Sequence, residues 1–177
     1  MKLVKASDPI LHTPPKRFDF TNPPIDPEQL ADDLKEAMIK FRGIGLSANQ
    51  VGIPYQVLAA GDYNDPDNIV VCFNPRIVFA SDHTIPIEEG CLSYPGIFLI
   101  IERPSVIRLR CANFTGRVDT QIYDGVPARI VQHEMDHMMG TNFTAHVSKL
   151  KLDRAKAHKK KLDKMRKINL QRISSYG

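Results

Sequence analysis

The run His133-Glu134-Met135-Asp136-His137 constrains this chain more than any other five residues in it. On a helix, two histidines four residues apart lie on one face, one turn apart, so both rings can reach a single metal ion. The glutamate after the first histidine then stands where a base toward a water at that ion is needed. This is the apparatus of metal-assisted hydrolysis. The competing reading is a core or surface helix that happens to carry two histidines, and the pattern by itself does not decide between them.

A catalytic site of this kind usually takes three protein ligands and leaves one position open. The common metalloprotease solutions put the third ligand downstream. One class uses a glutamate, but Glu134 is the last glutamate of the chain, and only Asp136, Asp153 and Asp163 follow it as carboxylates. The other class extends the motif to H-E-x-x-H-x-x-G-x-x-H. Here the match runs through Gly140 and ends at Phe143, which stands where the third histidine belongs. Neither protease class fits.

The remaining sulfur and nitrogen candidates are Cys72, Cys91, Cys111, His12, His83, His146 and His158. Cys72 and Cys111 lie in strand-like apolar runs and read as small core hydrophobes. Cys91 sits in Glu88-Glu89-Gly90-Cys91-Leu92-Ser93-Tyr94-Pro95, where the glycine permits close backbone approach and the proline ends any regular element. A buried free thiol is the alternative for Cys91. A third segment, Gly43-Ile44-Gly45-Leu46-Ser47-Ala48-Asn49-Gln50, follows a helical pattern and reads as a helix stop and then exposed backbone, able to pair with an extended peptide.

In this order the three segments resemble the peptide deformylases, which are marked by G-x-G-L-[AS]-A-x-Q, E-G-C-L-S and Q-H-E-x-D-H. The chain has Gly43 to Gln50, Glu89 to Ser93 and Gln132 to His137, and its opening Ser7-Asp8-Pro9-Ile10-Leu11 is also similar. The resemblance covers about residues 5–147. It implies that Cys91, His133 and His137 bind one divalent metal, Fe2+ by the family's preference, with Zn2+, Ni2+ or Co2+ as substitutes. A thiolate and two imidazoles suit those ions and not Mg2+ or Ca2+.

The reaction implied is hydrolysis of the N-formyl group from the initiator methionine of nascent polypeptides, releasing formate. Glu134 is the implied base, with the Gln50 amide and the Leu92 N–H meeting the oxyanion. The peptide is expected to lie extended along Ile44 and Gly45 on one side and Gly90 on the other. Ile44, Val126, Ile130 and the flank of His133 are candidates for a methionine pocket, though Val126 and Ile130 also suit plain helix core. Ser47 replaces a commoner alanine, expected to be without consequence. Phe98 stands where many bacterial members carry an arginine, and Glu102 and Arg103 are the nearest charged alternatives. A broader metallo-amidase would also process acetylated peptides; a ribosome- or RNA-binding protein with a relict metal site would release no formate.

The 177 residues suit one domain plus an extension, residues 1–147 and 148–177, and 42% hydrophobic residues allow an ordinary core. Three cysteines make no disulfide framework, no run is long enough to span a membrane, and the first residues do not read as a signal peptide. A cytoplasmic monomer is the expectation. Residues 13–27 are Pro-rich and read as loop; Asp26-Pro27 opens a helix to about Arg42, with Leu30, Leu34, Ala37, Met38 and Phe41 on one face. Short β-branched runs from Tyr55 to Tyr123 read as antiparallel strands, Ile101 to Ala112 as a half-exposed one, and a motif helix is expected from about Val126 to Met139. The expected class is α+β, antiparallel sheets around a central metal-binding helix.

From Lys149 to Gly177 there are eleven Lys or Arg against two Asp, so the net charge of +4 belongs to the tail. Ala155, His158, Leu162 and Met165 fall on one helical face, which predicts a basic amphipathic C-terminal helix. Such a stripe either packs on the body or leaves the helix free to dock on ribosomal RNA, as some deformylases do. Tyr176 is the tail's single aromatic, which argues against sequence-specific RNA reading.

Overall fold

The computed structural model describes residues 1–174, apart from the side chains of Leu170 and residues 172–174; Tyr176 lies outside the described residues. After a loop-rich start, α1 covers Pro27–Lys40. The Asp26 carboxylate accepts the Gln29 N–H at the helix start, as an N-cap should. Leu30, Leu34, Ala37 and Met38 are buried as the helical spacing predicts, while Phe41 is half-buried beyond the last turn. The helix stops two residues earlier than expected because Arg42 itself takes the left-handed conformation (φ 54°), with the Gly43 N–H closing back on the Met38 carbonyl.

The chain then forms β1 (Gly45–Ser47), β2 (Val57–Ala60), β3 (Val70–Ala80), β4 (Thr84–Gly90), β5 (Phe98–Pro104), β6 (Val106–Ala112) and β7 (Val118–Asp124). Five strands make an antiparallel sheet in the order β1-β2-β3-β6-β7, and β4 pairs with β5 separately. The run expected as one strand from Ile101 to Ala112 is therefore two. They divide at Pro104-Ser105, where proline has no N–H for a ladder and the Ser105 N–H goes to His83. Alternation assigns faces within β5: Leu99, Ile101 and Arg103 are buried, and Phe98, Ile100 and Glu102 are exposed.

Helix α2 (Gly125–Met138) packs between the two sheets, touching β1, β2, β5, β6 and β7. One apolar cluster joins α1 to β1, β2 and β3; a second lies under α2; a third holds Ile97, Leu99, Ile101 and Phe143. The last helix, α3 (Lys149–Ser174), lays Leu152 and Ala155 on that third cluster, whereas Leu162 and Met165 stay exposed. The expected α+β architecture, with the motif helix at its centre and a C-terminal helix, is what forms.

Leu34 is fully buried between α1 and the sheet. Leu34→Ala should cost about 2–5 kcal/mol in denaturant unfolding, while Ile122→Ala, at a side chain 70% exposed, should change stability by less than about 0.5 kcal/mol.

Candidate functional site

Helix α2 presents His133, Glu134 and His137 on its buried side, and Cys91 approaches from the turn that follows β4. One donor atom from each of Cys91, His133 and His137 lies within 4.8 Å of the others. Cys91 Sγ is 3.5 Å from His137 Nε2. A tetrahedral ion with ordinary metal–sulfur and metal–nitrogen bonds has an S···N edge of about 3.6 Å. The donor set therefore fits one divalent transition ion. Among the described residues this is the one Cys/His/carboxylate cluster of metal-binding geometry.

The other candidates have separate work. His146 meets Asp136 at 2.9 Å, His12 bonds the Ala6 carbonyl, His83 bonds Ser105, and His158 is exposed on α3. Cys72 is buried in β3, and Cys111 is half-buried in β6. Phe143 is fully buried, its ring 5.4 Å from that of His133. Where a protease would place a third ligand, this chain places a wall against the first.

What orients His133 is a buried network that the motifs did not announce. Its Nδ1–H donates to Glu89 Oε2 at 2.9 Å, which leaves Nε2 as the metal-facing atom. Glu89 also accepts Arg103 Nε at 2.7 Å, Arg103 Nη2 at 2.9 Å and Arg129 Nη1 at 3.0 Å. Arg103 reaches on to Asp136 at 2.8 Å, so two carboxylates face two guanidinium groups. Arg103 is thus committed to the interior and does not replace the missing cleft arginine; Glu102 bonds Thr84 across β4–β5. Burial opposes the Glu89 charge, but bonds from His133 and Arg103 prevail and hold its carboxyl at about 2.

The two rings of the motif differ. Burial works against a proton on His133, yet Cys91, Glu89 and the Glu134 charge outweigh it and raise the ring to about 10. Burial and the neighbouring His133 charge bring His137 down to about 3. Glu134 is pushed up to about 7 by burial, partly offset by the His133 charge and the Ser47 hydroxyl. Its Oε2 is buried without a hydrogen-bond partner. A carboxyl so placed is poised for proton transfer near neutrality.

Gln50 is fixed from the other side. Its Oε1 accepts the Ser47 N–H at 2.9 Å and the Ser47 hydroxyl at 3.0 Å, which turns Nε2 toward Cys91 Sγ (3.5 Å) and Ser93 Oγ (3.1 Å). Ser47, expected to be without consequence, therefore gives the amide a second anchor that alanine lacks. Gly45 is required by contact: a Cβ there would strike the Glu134 carboxylate and sit 3.0 Å from Ile130. β1 pairs with β2 on one edge only, so its other edge faces the cleft. The cleft, about 550 Å³, is lined by Ile44, Gly45, Gly90 and Leu92 beside the metal-binding group, with Val126 and Ile130 as its apolar floor.

Comparison with known proteins identifies a family. The sequence pattern of the polypeptide deformylase family matches residues 1–153. The chain belongs to that family. Peptide deformylase 1 of Burkholderia multivorans is 38% identical over 160 residues, 88% of each chain. The crystal structure of a Synechococcus elongatus peptide deformylase in complex with actinonin superposes with a TM-score of 0.83 at 33% identity, over 90% of this chain and 87% of that one. A Met-Ala-Ser-bound deformylase from Acinetobacter baumannii gives 0.74 at 30% identity, over 83% and 98%.

Removing the network's central acid tests its role. Glu89→Ala leaves buried Arg129 without its carboxylate and Arg103 with Asp136 alone, and should cost about 3–5 kcal/mol and lower metal affinity about 10–100-fold, read by denaturation and metal titration. Because the Glu89 carboxyl sits at about 2 when folded against an ordinary 4.5, its contribution is complete above the ordinary value and is lost as pH falls toward 2.

Proposed function

We propose that Glu134, Gln50 and Leu92 carry out formyl hydrolysis in this deformylase, with Cys91, His133 and His137 holding its divalent metal. The observation that carries the reading is the Cys/His/His cluster with a buried carboxyl beside it, one oxygen of which has no hydrogen-bond partner. The enzyme removes the N-formyl group from nascent polypeptides. Water attacks the formyl carbon, the C–N bond breaks, and formate and a free amino terminus leave.

When bound, the ion supplies a Lewis acid that acidifies water and polarises the formyl oxygen. Glu134 takes the proton from the attacking water and delivers it to the departing amine. The Gln50 amide and the Leu92 N–H receive the charge that develops on the tetrahedral carbon's oxygen, a type of contact whose loss costs about a hundredfold or more. Ser47 keeps the amide donor pointed at that place. The peptide extends between the free edge of β1 at Ile44 and Gly45 and the end of β4 at Gly90, and its methionine enters the apolar floor at Val126 and Ile130. Val126 is 56% exposed, which supports a pocket wall over a core position.

Fe2+ is the physiological ion in this reading, with Zn2+, Ni2+ or Co2+ able to replace it; one thiolate and two imidazoles support that set. Residues 1–147 form the catalytic part. The distal turns of α3, with exposed Lys160, Lys161, Lys164 and Lys167, suit contact with ribosomal RNA. The enzyme acts as a cytoplasmic monomer. Three free cysteines support a reducing compartment, and no helix among the described residues is long and apolar enough to cross a membrane.

Anaerobically purified enzyme should release formate from formyl-Met-Ala-Ser. Glu134→Ala should retain near-stoichiometric metal and lose activity by several orders of magnitude, whereas Cys91→Ser should lose metal and activity together. A fully active Glu134→Ala enzyme would refute the assignment. Reversing Lys160, Lys161 and Lys164 to Glu should weaken ribosome binding without altering hydrolysis of short peptides.

A further inference from the structure

Over β3 and β6 lies a cavity of about 490 Å³ that shares no lining residue with the metal cleft. Arg17, Arg76 and Arg110 line it, together with the Phe20 ring, Gln56 and Val118. No carboxylate lines it, although residues 1–148 hold eighteen Asp or Glu against thirteen Lys or Arg. Arg76 and Arg110 are direct partners in the β3–β6 ladder. Such partners point to the same face with Cβ atoms about 4.5–5.5 Å apart, and like charges there destabilise the sheet. All three arginines are exposed, and among the described residues no acid pairs with any of them. Arg108, next along β6, differs in having the Phe79 ring beneath it at 5.1 Å.

Two separately anchored segments bring these arginines to one place. β3 shifts register between Phe73 and Arg76, with Asn74 left-handed at φ 51°. A bulge of this kind re-aims the side chains that follow it. The Asn74 amide then clamps the incoming loop, accepting the Phe18 N–H at 2.7 Å and donating to the Phe18 carbonyl at 2.9 Å. Gln56 holds the same loop through the Pro15 carbonyl at 3.1 Å. Arg17 and Phe20 are carried on that loop, and the Phe20 ring rests against Phe18 and Phe73. Asp19 between them is turned to Thr21, whose N–H and hydroxyl it accepts.

We propose that this cavity binds a nucleotide, with its phosphates on Arg17, Arg76 and Arg110 and its base against the Phe20 ring. Guanidinium groups pair phosphate oxygens bidentately, and a polyanion between Arg76 and Arg110 replaces their repulsion with two attractions. A half-buried aromatic ring beside them offers the face on which a base stacks. The volume is that of a small-ligand site. Three adjacent guanidinium groups match the dense charge of a terminal diphosphate better than the single charge per phosphate of a nucleic-acid backbone.

The test is calorimetric titration of the metal-loaded, full-length enzyme with ADP at fixed ionic strength, with adenosine and inorganic phosphate as its two halves. ADP should bind one to one, and each half at least about tenfold more weakly. Arg76→Gln/Arg110→Gln should weaken ADP by about tenfold or more and leave formate release from formyl-Met-Ala-Ser unchanged, which also shows its fold intact. Without ADP this variant should melt above the wild type, because the opposed charges are gone, and only the wild type should gain further when ADP is added. Absence of ADP binding, or an affinity that the two substitutions do not change, overturns the site. So does loss of ADP binding in Lys160→Glu/Lys161→Glu/Lys164→Glu, since the phosphates then sit on α3. Single-stranded RNA that binds through Arg76 and Arg110 while ADP does not would make the face a nucleic-acid surface and overturn the nucleotide assignment.

Discussion

The Glu89 carboxylate is the contact on which the rest of this centre depends. It receives two arginines and holds the Nδ1–H of His133, so one side chain fixes both the local charge balance and the tautomer that leaves the ring's Nε2 open to a metal. A carboxylate in an apolar interior is costly to ionise, and a lone guanidinium there is equally costly. Together, with Asp136 completing the set, they neutralise one another, and the geometry of a hydrolytic centre is fastened to β4, β5 and α2 at once. Phe143 closes the remaining side of the imidazole with apolar bulk.

Fixing donors in this way matters more than adding them. Gln50 reaches the site as a rigid amide because Ser47 accounts for its carbonyl oxygen, and Glu134 fits because Gly45 has no side chain. The three motif segments therefore restrain one another physically. The glycine of the first makes room for the glutamate of the third, and the acid of the second aims the histidine of the third.

That Cys91, His133 and His137 come together with Glu134 beside them was legible in the sequence because helical spacing fixes which side chains share a face, and because the segment around Cys91 stood apart from the strand-like runs of Cys72 and Cys111. The α1 face and the central position of α2 were legible for the same reason of period. Arg103 was not. Its partner lies on another strand, and only the β4–β5 register, with Glu89 beside Leu99 and Arg103 beside Ile85, puts both on the inward face. Ser47 was underestimated because its effect passes through a hydrogen bond to Gln50, which composition cannot reveal. The split at Ser105 went unseen because both halves carry the same alternation.

β1 ends the five-stranded sheet with three residues, paired on one edge only. An open edge is an invitation to any extended chain, including another copy of the protein, and long flat edges are sites of aggregation. Three residues flanked by a left-handed Arg42 and a helical turn from Ala48 to Val51 give such a partner too short a ladder to hold. In the proposed binding mode an incoming peptide terminus gains additional hold from the metal centre and the apolar floor, which another sheet edge cannot use. If the substrate binds as proposed, brevity of the edge is thus a filter: the strand would be completed by a chain end that brings its own anchor, and would release that chain once the anchoring formyl group is gone.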